Sequence, residues 1–150
     1  MTEPIVLDTS CLIGLQRIEH LSLLPQLFQP ILIPPKVREE FNISLDWLPI
    51  QAPENASLVL ALKMLVNAGE AEAIVLAKEK SYRIVLDDLE ARAVGKNLGL
   101  RIIGTIGLLV TAKRRGLIPN LSSLLDRLET VNFRISKTLR REALEMVGEL

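Results

Sequence analysis

Two apolar triplets that each end in aspartate constrain the fold of this chain more than any other feature. Ile5-Val6-Leu7 runs into Asp8, and Ile84-Val85-Leu86 runs into Asp87-Asp88. Each triplet reads as a short buried strand followed by a helix start. Uninterrupted apolar strands of this kind belong to parallel sheets covered on both faces. The acids then fall at the carboxyl ends of strands, where open α/β sheets keep their sites.

The rest of the chain fits that frame. Residues 4–8 are predicted as the first strand, with Thr9 or Ser10 capping a helix to about Gln16. A short helical segment spans Leu21 to Leu27, and Ile31-Leu32-Ile33 forms a second strand that Pro34-Pro35 stops. On the next helix Val37 and Phe41 face the core, with Glu40 bordering them and partly buried by Phe41. Trp47 to Ile50 reads as a short strand. Ser57 to Val66 is predicted helical, with Leu58, Ala61, Leu62 and Leu65 on one stripe. Gly69 interrupts, and Glu70 to Lys80 forms a further helix. Residues 83–87 are the third strand and 89–98 a helix that Gly99 ends. Arg101 to Ile103 is a fourth strand, and Thr105 caps a helix to about Arg115-Gly116. Leu121 to Val131 and Ser136 to Val147 close the chain as a helical hairpin. The alternation predicts an α/β fold with a central parallel sheet, in one domain over residues 1–150.

Composition narrows the function. Apolar residues make up 49% of the chain and aromatics 3%, so the core is aliphatic. Cys11 is the only cysteine, which excludes an internal disulfide and suits a reducing compartment. No run is long enough for a membrane span and no secretory leader is visible, so a cytoplasmic protein is expected. There is no Gly-rich phosphate loop, no zinc-type Cys/His spacing and no serine nucleophile elbow. Residues 1–75 carry 4 Lys or Arg against 9 Asp or Glu, and residues 76–150 carry 14 against 9. An acidic site beside a basic surface suits a phosphate-backbone substrate.

Beyond Asp8, Asp87 and Asp88, the acids Glu40, Glu70 and Glu72 stand at helix starts or borders. Each alone reads as a cap, a dipole partner or a solvated side chain. Glu70 and Glu72 differ by two positions and so point apart; periodicity does not choose between them. Ser10 is placed to hold a carboxylate or a water. If several acids converge, their repulsion needs a cation, and hard oxygen donors suit Mg²⁺ or Mn²⁺.

Taken in order, these segments resemble a known family. Ile5 to Ser10, Pro34 to Glu40, Gly69 to Ile74, Leu86-Asp87-Asp88 with Ala91-Arg92, and Gly104-Thr105 with Ala112 to Gly116 are similar to a PIN-domain protein. The tail Phe133-Arg134-Ile135-Ser136 before a helix fits as well. The resemblance implies a three-layer PIN-like fold with four to five parallel strands. It implies an Mg²⁺/Mn²⁺-dependent ribonuclease site, as in VapC-type toxins, and with it an RNA substrate, a small antitoxin partner and a homodimer. Carried over by position, Asp8 is the first acid, Glu40 the second and Asp88 the fourth, with Asp87 beside it. Spacing back from Asp88 favours Glu70 as the third, and the local Glu-Ala-Ile pattern favours Glu72. Thr105 supports the site, and Lys113, Arg114 and Arg115 are expected backbone contacts. Two other functions compete: a haloacid-dehalogenase-like phosphatase with Asp8 as nucleophile, and a degenerate PIN module that binds RNA or a protein without cutting.

Overall fold

The computed structural model describes residues 2–150. Four short strands, β1 (Glu3–Leu7), β2 (Phe28–Leu32), β3 (Arg83–Val85) and β4 (Ile102–Ile103), form one sheet in the order β2-β1-β3-β4. Every pairing is parallel. The chain leaves β1 for β2 on one side and later returns to add β3 on the other. The point between β1 and β3 is therefore the topological switch, where such sheets open a crevice at the strand carboxyl ends.

Side chains alternate across the pleat into two cores. Ile5, Leu7, Ile31, Ile33 and Val85 face one side, where they meet α1 (Thr9–Arg17), α2 (Leu23–Leu27) and α3 (Pro35–Phe41). The same core takes α7 (Thr105–Arg114), α8 (Leu121–Thr130) and α9 (Lys137–Met146). Val6, Leu32, Ile84 and Leu86 face the other side, under α4 (Ala56–Leu62), α5 (Ala68–Lys80) and α6 (Leu89–Asn97). Ile5, Val6 and Leu7 are all fully buried, as a strand covered on both faces requires. The three-layer α/β architecture and the closing helices α8 and α9 follow the sequence reading.

Several elements depart from it. Trp47 to Ile50 is not a strand; only Ile50 makes an isolated bridge, to Ile33. Ser57 to Val66 shortens to α4, which buries Val59 and Leu62 and leaves Leu65 exposed. Leu65 lies beyond the end of α4, and Leu58 packs against the same core as Val59 and Leu62. Gly69 does not interrupt a helix but lies in the first turn of α5, capped by Asn67. Thr105 does not cap α7. Gly104 holds the N-cap position, and the Thr105 hydroxyl is committed elsewhere.

Candidate active site

Asp8 follows β1 directly and takes the N-cap position of α1 without a side-chain cap bond. The residue is 6% exposed. Burial pushes its pKa up to about 7; the Thr9 amide opposes this, and Glu70, Asp87 and Glu40 add to the rise. Charges on four different elements thus act on one another at the end of β1. Glu70, also buried, is raised in the same direction by burial, against the Asn67 amide, with Asp88, Glu40 and Glu90 contributing.

Each of these acids is held by a local device. Glu70 belongs to a reciprocal capping box: its Oε1 accepts from Asn67 N at 3.2 Å while Asn67 Oδ1 accepts from Glu70 N at 2.8 Å. Glu40, in the last turn of α3, accepts from Thr9 Oγ1 at 2.7 Å. It is exposed rather than covered by Phe41, contrary to the sequence expectation. Asp88 is exposed and N-caps α6 by accepting from Ala91 N at 3.0 Å. Asp87 is the most heavily bonded. Its Oδ1 accepts from Thr105 N at 2.8 Å, and its Oδ2 accepts from Thr105 Oγ1 at 2.6 Å and Ser10 Oγ at 3.2 Å. One carboxylate thereby ties the ends of β1, β3 and β4 together.

Asp8, Glu40, Glu70, Asp87 and Asp88 line a single open cleft of about 990 Å³, with Ser10 on its wall. Glu72 does not reach it. Its Oε1 accepts from Lys36 N at 3.0 Å, serving the start of α3, and it lines a separate hollow with Pro53 and Lys63. The structure thus puts Glu70, not Glu72, with the other acids. Lys113, Arg114 and Arg115 are also elsewhere. They end α7, about 15 Å along the helix from Thr105. Lys113 donates to Pro119 O at 2.7 Å and pairs with Glu149 at 3.6 Å, and Arg114 donates to Met146 O at 3.3 Å. The first two of these cations fasten the C-terminal helices, outside the acidic cleft.

Sequence reasoning missed Thr9, Asn67 and Arg92 as supports. The pattern Asn67-Ala68-Gly69-Glu70 carries the capping-box spacing and could have revealed Asn67. Arg92 donates to Leu86 O at 2.9 Å and bridges α6 to the end of β3. No local pattern announces that contact. Gly69 is explained by close approach: a Cβ there would stand 2.5 Å from Glu40 Oε1. Gly69→Ala should therefore swing Glu40 away from Thr9. Ala favours the helix by up to about 1 kcal/mol, so the melting temperature should hold or rise while catalysis falls. Parallel melting and activity assays check this; full activity in a stable variant would remove Glu40 from the site.

An all-oxygen donor set suits a hard cation. Among the described residues, no three His, Cys, Asp or Glu side chains gather closely enough to hold a metal by themselves. Asp87 is largely spent on Thr105 and Ser10. The remaining acids fit an ion that takes one or two carboxylates and keeps much of its water, as Mg²⁺ does.

A parallel α/β sheet with mutually repelling carboxylates at its switch point defines an acidic-site protein of the open-sheet class. The family model DUF3368, described as a PIN domain, matches residues 4–149, and the chain belongs to the PIN-domain family. PIN domains are in general nucleases that bind nucleic acid and use divalent metal ions. No curated protein gives a match to the chain. The phosphatase reading falls with this assignment; Ser10, where that chemistry needs a second aspartate, serves to hold Asp87. Among the described residues no helix is long and apolar enough to cross a membrane.

Proposed function

We propose that the chain is a single-domain, Mg²⁺- or Mn²⁺-dependent endoribonuclease working in the cytoplasm as the toxin of a toxin–antitoxin pair. The observation that carries the nuclease reading is the buried Asp8 carboxylate, held among Glu70, Asp87 and Glu40 in a cleft open to solvent. Four elements bring these like charges together at the cost of stability, which a bound cation offsets.

One or two of Asp8, Glu40, Glu70 and Asp88 would hold the cation directly, and its remaining water would reach the others. The chemistry it supplies when bound is neutralisation of the attacked phosphate and acidification of water at neutral pH. Asp87 is a positioning residue: through Thr105 and Ser10 it fixes the strand ends that carry Asp8 and Asp88. Thr9 holds Glu40 against the end of β1, where both line the cleft. A like-charged floor also repels a phosphate strand until it is neutralised, so the free protein should bind RNA weakly without metal. The toxin role, the small antitoxin partner and the homodimer rest on the resemblance to VapC-type proteins alone.

A second reading has one observation in its favour. The absence of a ready trio of ligands among the described residues suits a PIN module that binds RNA or a protein without cutting. Incubating the protein with a labelled RNA pool separates the two. Cleavage with Mn²⁺ that EDTA stops is expected; an intact pool in Mn²⁺ would overturn the nuclease reading. A short antitoxin-like reading frame beside the gene is the expected mark of the toxin role.

A further inference from the structure

One wall of the acidic cleft is of different chemistry. The segment between α8 and α9 contributes Asn132, Phe133, Arg134 and Ser136 to the cleft. The same four residues line a second open hollow of about 780 Å³. They form a ridge between two concavities. Arg134 is the only Lys or Arg among the described residues that line the cleft. It is exposed and, among the described residues, enters no ion pair, although the cleft it shares holds five carboxylates. An arginine that keeps clear of so many acids remains available to an anion that spans the ridge.

Phe133 beside it is half-buried and anchored. Its ring edge lies against Gly14 of α1, where a Cβ would stand 3.1 Å from Phe133 Cδ2. A fixed aromatic next to an unpaired guanidinium is the pairing that single-stranded nucleic acid uses: a base stacks on the ring while a phosphate meets the cation. A duplex keeps its bases inside the stack and offers neither face. The cleft itself repels a phosphate chain, so a cation at its rim has a physical task that the floor cannot perform.

We infer that residues 132–136 are the docking ridge for an unpaired nucleic-acid strand, with Arg134 taking a backbone phosphate and Phe133 a base. The inference deepens the nuclease reading and rests on it for the identity of the ligand.

The test is fluorescence anisotropy of a labelled single-stranded RNA oligomer across a salt series, in the otherwise wild-type protein with Ca²⁺ in place of Mn²⁺, so that the acids are neutralised while cutting is suppressed. Arg134→Ala should weaken binding and reduce the slope of log affinity against log salt by about 0.7, the share of one phosphate on a single strand. Arg134→Lys should keep the slope. Phe133→Leu should weaken binding on the order of ten-fold at unchanged slope, while Phe133→Tyr, which keeps the ring, retains it. A hairpin duplex should bind more weakly than the single strand. An unchanged slope in Arg134→Ala, or a duplex bound as tightly as the single strand, overturns the ridge. Arg134-dependent binding alongside a wild-type protein that never cleaves would uphold the ridge and overturn the nuclease reading. Cleavage by wild type with an Arg134-independent slope would do the reverse.

Discussion

Asp8→Asn is expected to make the metal-free protein more stable at neutral pH while abolishing RNA cleavage. Asp8 is 6% exposed, and its pKa of about 7 lies well above the ordinary 3.8. The folded protein therefore binds this proton more tightly than the unfolded chain. The associated stability is complete below about pH 4, declines as pH rises from there towards 7, and is gone above that range. The gap corresponds to about 4 kcal/mol at neutral pH. Asparagine keeps the shape and removes the charge, so the melting temperature at pH 7 should rise by roughly 10 °C. The difference between the two proteins should vanish at pH 4. The charges of Glu70 and Asp8 repel one another, so the difference reports the Asp8 charge together with its coupling to Glu70. A variant no more stable than wild type at pH 7 would contradict the burial of the Asp8 charge, and with it the repulsion that adds to it.

Asp87→Ala should act in the opposite sense, although Asp87 is the same residue type at an equivalent strand end. Its carboxylate accepts from both the amide and the hydroxyl of Thr105, which is fully buried. Truncation leaves two buried donors without an acceptor, at a cost of roughly 2–4 kcal/mol. Ser10 also loses its partner. The urea midpoint should fall, and Asp87→Asn, which retains one acceptor oxygen, should recover part of the loss. Opposite signs at Asp8 and Asp87 would separate an acid kept for chemistry from one kept to join strand ends. An Asp87→Ala protein as stable as wild type would contradict that division.

The strand-end acids were legible in the sequence because Ile5-Val6-Leu7 and Ile84-Val85-Leu86 can bury both faces only in a covered parallel sheet, which fixes where the next residue emerges. The ambiguity between Glu70 and Glu72 had a physical source. Ala71 and the whole run Ala73 to Ala77 are buried, so α5 is apolar all round and its periodicity points nowhere. Only the Asn67 capping box sets the phase that turns Glu70 to the cleft. That Lys113 and Arg114 bind carbonyls and Glu149 was not legible, because charge density in sequence does not reveal the partners that tertiary packing supplies. Arg134 lies in a loop without periodicity, and its place on the wall of the cleft depends on how α8 returns over α1. That packing is a tertiary property, invisible in a local pattern.

The measurement closest to the central claim is thermal melting of wild type and Asp8→Asn at pH 7, with and without Mn²⁺. Any ligand of the native state raises its melting temperature by mass action. Wild type should start lower and rise with Mn²⁺; Asp8→Asn should start higher and stay nearly where it is. Equal responses of the two proteins to Mn²⁺, or none in either, would contradict a cation held among Asp8, Glu40, Glu70 and Asp88.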